Sequence, residues 1–180
     1  ITNEPEKVMK ADKVILPGVG DFSNCKSQLL SIVGMKEALD EFIKKKCGPF
    51  LGICIGMHLM GMISHERGEH RGLELIKSKV IKIKNEKKKI RVPHMGWNNI
   101  SLDNKKYIKN FSSLNENDFY FVHSYHMVCN NDNEILASVE YGEKLVAAIC
   151  KDNILGVQFH PEKSQATGQR FLLEFLNWNP

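Results

Sequence analysis

The sequence predicts an α/β fold, one sheet with helices on both faces, and three observations carry that reading. The short apolar run Pro49-Phe50-Leu51 passes through Gly52-Ile53-Cys54-Ile55-Gly56 straight into a helix-like segment, as a buried strand feeding a helix does. Leu39, Phe42 and Ile43, and later Phe171, Leu172 and Phe175, recur at the spacing of a helix face packed on a core. The second half is rich in strand-like runs. Strands and helices mixed in this order argue for a layered α/β sheet rather than a bundle or a sandwich.

From the N-terminus, the charged stretch Thr2 to Asp12 precedes a first strand at Val14 to Leu16, which runs into the loop Pro17-Gly18-Val19-Gly20. Helices are predicted at Ser23 to Leu30 and Met35 to Lys45, parted near Gly34, then the strand and helix around Cys54, then a polar loop from Ser64 to Gly72. Between Lys77 and Lys89, lysines alternate with Val80, Ile81 and Ile83 around Asn85-Glu86. That pattern predicts a hairpin with a solvated lysine face, the competing reading being a phosphate-binding patch. Strands follow at Asn99 to Leu102, Phe119 to His123, Ile135 to Val139, Leu145 to Ile149 and Ile154 to Phe159, and a closing helix at about Gly168 to Asn177. No repeat, linker or low-complexity tract interrupts them.

Residues 1–180 form one domain on this reading, large enough to bury roughly two thirds of its unfolded surface. No apolar run approaches the ~20 residues of a membrane span, and a net charge of +4 is too small to argue for nucleic acid. The five cysteines, at 25, 47, 54, 129 and 150, form no C-x-x-C pair and no metal-ligand spacing. They suit reduced thiols and a cytoplasmic protein, with neither metal nor organic cofactor implied.

Two segments carry chemistry. In Gly52-Ile53-Cys54-Ile55-Gly56 the thiol sits on a sharp strand-to-helix turn, where flanking glycines let backbone segments approach closely. The new helix points free amides at the sulfur, which favours thiolate and offers a donor to an oxyanion. A plain core cysteine is the competing reading. In Gly156-Val157-Gln158-Phe159-His160-Pro161-Glu162-Lys163-Ser164, a strand ends near Pro161 and leaves His160 and Glu162 two residues apart on one side of extended chain. A thiol nucleophile needs a base, and the base needs an acceptor to fix its tautomer; His160 and Glu162 fit those roles.

With both segments in view, the chain resembles the class I (triad) glutamine amidotransferases over nearly its whole length. The likeness runs through Leu16 to Phe22, Pro49 to Met60, Val92-Pro93-His94-Met95-Gly96-Trp97-Asn98, Tyr120 to Tyr125 and Gly156 to Gln165. The cysteine elbow and His-Pro-Glu are common to the class. Pro-Gly-Val-Gly and Pro-His-Met-Gly-Trp-Asn point to the branch formed by glutaminase subunits of imidazole glycerol phosphate synthases. The resemblance implies a flavodoxin-like architecture with a central, mostly parallel sheet. Family members carry a further strand and helix, with an Asp-Tyr-Gly-Met-Gly-Asn type motif, ahead of the first strand read here, so this sequence is expected to lack that pair.

The resemblance also implies roles. Cys54 would attack the side-chain amide of glutamine, His160 would protonate the departing ammonia and Glu162 would hold the imidazole. The Ile55 amide and, after a peptide reorientation allowed by Gly18 and Gly20, the Val19 amide would form the oxyanion hole; otherwise the glycines simply make a tight turn. Main chain at Ser124 and Tyr125 would hold the substrate's ends, with His123 a structural neighbour. His58 departs from the pattern, since relatives carry glutamine four residues after the nucleophile; it still faces the substrate but with different donors and acceptors. The implied partner is a (β/α)8-barrel subunit in a heterodimer, docked through Met95, Trp97 and Lys163, the alternatives being a Trp97 in the core and a solvated Lys163. The implied products are imidazole glycerol phosphate and AICAR in histidine biosynthesis. His58 keeps open a paralogue that supplies ammonia for amidation of a cell-surface sugar.

Overall fold

The computed structural model describes residues 1–85 and 90–180. In chain order its elements are α1 (Pro5–Lys10), β1 (Val14–Gly18), α2 (Phe22–Ser31), α3 (Met35–Asp40), β2 (Phe50–Cys54), α4 (Ile55–Leu59), β3 (Ile63–Ser64), β4 (His70–Arg71), β5 (Ser78–Lys82), β6 (His94–Leu102), β7 (Asn117–His123), β8 (Tyr125–Cys129), β9 (Ile135–Tyr141), β10 (Glu143–Lys151), β11 (Ile154–Val157) and α5 (Gln165–Asn177). A π-helical turn, Glu41–Lys45, continues α3, so the segment read as one helix over Met35 to Lys45 is an α-helix that widens at its end. α1 lies inside the charged stretch Thr2 to Asp12, where a single buried apolar residue, Val8, gives no readable periodicity.

The predicted α/β layering is present. The main sheet has seven strands in the order β1-β2-β11-β10-β9-β6-β7. Its parallel part is confined to β1, β2 and β11; every other neighbouring pair is antiparallel. The sheet is thus mixed rather than mostly parallel, because short links such as Gly142 between β9 and β10 leave room only for a reversal. A second sheet, β4-β3-β5-β8, stands beside it. Of the predicted lysine-rich hairpin, the first arm is the strand β5, which pairs with β3 at Lys79 and Val80 on one edge and with β8 along the other. Residues 86–89 of that predicted hairpin lie outside the described residues.

Alternation along β2 divides the core in two. Leu51 and Ile53 join α5, through Phe171 and Phe175, and the Phe119–Phe159 pair on one face. Phe50 joins Val8, Met35, Leu39, Phe42 and Met60 on the other. Both faces are covered by helices, which is why the central strand can be buried along its whole length.

Candidate active site

The C-terminal ends of β1, β2 and β11 open on a cavity of about 420 Å³. Cys54 ends β2 with φ 53° and ψ −109°, a left-handed conformation that a non-glycine residue adopts only under constraint. The constraint is close packing around the turn. A Cβ on Gly56 would collide with the Leu16 carbonyl, and one on Gly18 would lie 2.8 Å from the Ile55 Cβ, so the loop after β1 presses directly on the elbow. The thiol is buried, and desolvation pushes it up to about 12; the Ile55 backbone N–H pulls the other way and the Glu162 charge adds to the rise. At neutral pH the sulfur keeps its proton until a base takes it.

His160 follows β11 and opens a single helical turn, Pro161–Lys163. Its Nδ1 lies 2.7 Å from Glu162 Oε1. The carboxylate only accepts, so Nδ1 carries the hydrogen and Nε2 is left as the basic nitrogen. Phe159, fully buried against Phe119 and Phe171, fixes the chain just before it. The Ser164 hydroxyl donates to the His160 carbonyl at 2.7 Å while accepting the Tyr120 N–H at 3.0 Å, clipping the turn to β7.

Of the residues singled out in the sequence, Cys54, His160, Val19, Gly20, Ile55, His58, Ser124, Tyr125 and Lys163 line this one cavity. Gly18 stands beside Cys54 in the β1–β2 ladder, and Glu162 stands behind His160 with its side chain half exposed. Val19 is 74% exposed, and its carbonyl accepts the Cys25 thiol at 3.3 Å. Met95 and Trp97 lie outside the cavity on β6, at 62% and 47% exposure, so Trp97 does not complete the core. Its ring meets Tyr120 edge-on at 6.0 Å, and Lys163 Nζ lies 6.0 Å from the same Tyr120 ring.

Two residues unmarked in the sequence adjoin the site, one on the cavity wall and one behind it. Glu66, from the loop between β3 and β4, lines the cavity and accepts the Phe22 N–H at 3.0 Å; nothing in a polar loop distinguishes it. Gln158 is fully buried, with Nε2 3.8 Å from Cys54 Sγ and Oε1 2.7 Å from His58 Nε2. It sits two residues before His160, so the period that pairs His160 with Glu162 was a signal for it too. His58 is 1% exposed, burial lowers it to about 4, and its Nδ1 has no partner among the described residues.

His123 also lines the cavity; its Nδ1 lies 2.9 Å from the Tyr125 carbonyl and its Nε2 3.1 Å from His94 Nδ1. The carbonyl must be given a hydrogen, so His123 Nε2 accepts from His94, whose own Nε2 faces the Asn98 amide at 3.5 Å. Burial lowers His94 to about 4 and His123 to about 3, and both are neutral. His123 is a structural imidazole in this row. No set of His, Cys, Asp and Glu side chains suited to a metal ion occurs among the described residues, nor any helix long and apolar enough to cross a membrane.

Residues 1–178 match the profile of the family described as Glutamine amidotransferase class-I. The chain is 44% identical to the imidazole glycerol phosphate synthase subunit HisH of Zymomonas mobilis over 180 residues, covering all of this chain and 83% of that one. The subunit of the same name from Rhodospirillum rubrum is also 44% identical, over all of this chain and 84% of its own. Among solved structures, a glutamine amidotransferase superposes with a TM-score of 0.67 over 98% of this chain and 85% of that chain, at 16% identity. The glutaminase domain of Trypanosoma brucei CTPS with bound acivicin gives 0.62 over 98% and 75%, at 17% identity. At such identities these two likenesses speak for the fold alone.

Proposed function

The chain belongs to the class-I glutamine amidotransferase family, and on that premise we propose that it is the glutaminase subunit of an imidazole glycerol phosphate synthase, working through a Cys54-His160-Glu162 triad. One observation carries the site assignment: a buried thiol on a left-handed elbow shares a cavity with an imidazole whose tautomer is set by a carboxylate 2.7 Å away. The relatives named above carry the histidine-pathway subunit name, and this reading is taken rather than the sugar-directed one.

His160 Nε2 takes the Cys54 proton, and the sulfur attacks the side-chain amide carbon of glutamine. The developing oxyanion turns to the Ile55 N–H and, once its peptide reorients, to the Val19 N–H, each such donor being worth ~10²–10³ in rate. His160 returns its proton to the leaving nitrogen, so ammonia departs and a γ-glutamyl thioester remains. Water, deprotonated by the same imidazole, then cleaves the thioester to glutamate and free thiol. Glu162 holds the ring throughout and stabilises its charged form. Glu66, a carboxylate on the cavity wall, suits the substrate's α-ammonium group, and main chain at Ser124 and Tyr125 suits its carboxylate.

Ammonia is useful only if it reaches an acceptor before bulk water protonates it. The exposed Met95 and Trp97, with Lys163 bordering the cavity, form the patch on which a (β/α)8-barrel synthase subunit docks in this reading. That partner converts the ammonia, forming imidazole glycerol phosphate and AICAR. The test is Cys54→Ala in the assembled complex: glutamine-dependent synthesis is lost while ammonia-dependent synthesis survives. Loss of both in an intact complex defeats the assignment of separate sites.

A further inference from the structure

Gln158 is a fully buried carboxamide between two fully buried apolar residues, Val157 and Phe159. A carboxamide left unpaired there is costly, so its partners matter. Its main-chain N–H is engaged by the Ala147 carbonyl at 2.9 Å, and its side chain reaches only His58 and Cys54 among the described residues. The neutral His58 ring has a single N–H to place. On Nδ1 that hydrogen would be a buried donor without an acceptor, because Nδ1 has no partner. On Nε2 it donates to Gln158 Oε1 at 2.7 Å, and the amide nitrogen is then aimed at the sulfur 3.8 Å away.

We infer that Gln158, held in one orientation by His58, is a positioning residue for the nucleophile: its amide N–H donates to the Cys54 sulfur and stabilises the thiolate. The inference rests on the reading of Cys54 as nucleophile. When the proton leaves for His160, the sulfur becomes an acceptor with no hydrogen of its own, in a site where burial opposes its charge. The Ile55 N–H meets it from the helix side and the Gln158 amide from the β11 side. The first donor is main chain and does not depend on the Ile55 side chain; the second depends on two side chains.

The experiment is the rate of Cys54 alkylation by iodoacetamide as a function of pH, on the full chain. Gln158→Met keeps length and removes the donor, and its profile is expected to move up by about one pH unit, a tenfold loss of thiolate at a fixed pH below the midpoint. Gln158→Glu, which puts a carboxylate against the sulfur, should move it further. His58→Phe frees the amide to turn and should reproduce part of the shift; added to Gln158→Met it should cost nothing more. His58→Gln keeps an N–H for Oε1 and should restore the wild-type profile. A folded Gln158→Met chain with the wild-type profile overturns the inference. Should that variant not fold, the ¹⁵N side-chain resonance of Gln158 in the unchanged protein must titrate with the alkylation midpoint, and a pH-independent resonance overturns it equally. Labelling that spares Cys54, or glutamine hydrolysis surviving Cys54→Ala, defeats the underlying reading instead.

Discussion

The His160 N–H donates to the Tyr120 carbonyl at 2.9 Å, so the imidazole's main chain hangs from β7 while Cys54 stands at the end of β2. In the sheet these strands are far apart, with β11, β10, β9 and β6 between them. The antiparallel part must therefore curl until the chain leaving β11 meets β7. Cys54 and His160 meet because β11 pairs in parallel with β2, and the curl brings β7 to brace the base.

Ser164→Ala tests that closure. It removes the acceptor of the half-buried Tyr120 N–H and the donor to the His160 carbonyl, so stability should fall by about 1–3 kcal/mol in urea unfolding. Because the base is displaced rather than the substrate pocket, kcat should drop while KM for glutamine changes little. An unchanged kcat would show that the clip does not position the ring.

His160→Ala should lower glutamine turnover by at least the ~10²–10⁴ of a general acid–base. Glu162→Gln should cost less, because the carboxamide oxygen still accepts from Nδ1 and preserves the tautomer across the 2.7 Å bond. Steady-state glutamate release by each variant checks the order. Equal losses would make the carboxylate's charge, rather than its orienting bond, the larger contribution.

Acid should destabilise the fold through its buried imidazoles. In the unfolded chain they protonate near 6.5, whereas in the fold His58 and His94 are held at about 4 and His123 at about 3. Depressed folded values mean that the unfolded state binds more protons below 6.5. Stability is therefore complete above that value and is lost as pH falls toward 4, with a slope of up to ~1.4 kcal/mol per pH unit for each ring. Urea unfolding at pH 7.5, 6 and 5 measures the slope, and His123→Asn should reduce it by about one proton.

On the proposed function, the isolated chain should be a weak glutaminase that a barrel subunit activates. The Val19 carbonyl is held by the Cys25 thiol, and the loop presses on the elbow through Gly18. If that arrangement turns the Val19 N–H from the sulfur, docking that reorients the peptide supplies the second oxyanion donor, worth ~3–4 kcal/mol of barrier. Glutamate release by the chain alone, with partner, and with partner plus nucleotide substrate should rise in that order. Equal turnover in all three would remove partner gating.

The sequence showed the parts of this site that are local. The elbow at Cys54 and the His160–Glu162 pair are set by residues within a few positions of one another, and the helices that cover the sheet repeat their apolar residues legibly, although α5 begins at Gln165, ahead of the Gly168 expected. What escaped was non-local. β8 follows β7 after a single residue and was not read as a strand, because it belongs to a different sheet and pairs with β5, far back in the chain. β3 and β4 are two residues each, too short to alternate. Glu66 enters the cavity only because that small sheet carries its loop to the start of α2. Gln158 read as one more strand residue, since only the folded chain brings α4 against β11 and gives its carboxamide two partners.

The row from Asn98 through His94 and His123 to the Tyr125 carbonyl has a direction, since every member donates toward Tyr125. A proton wire needs ends that can load and unload, and this row has neither. An amide does not release its hydrogen and a carbonyl does not pass one on. The wall it forms beside the cavity is therefore an insulator: it is polar, and fully occupied by hydrogen bonds along its length, yet it conducts no proton.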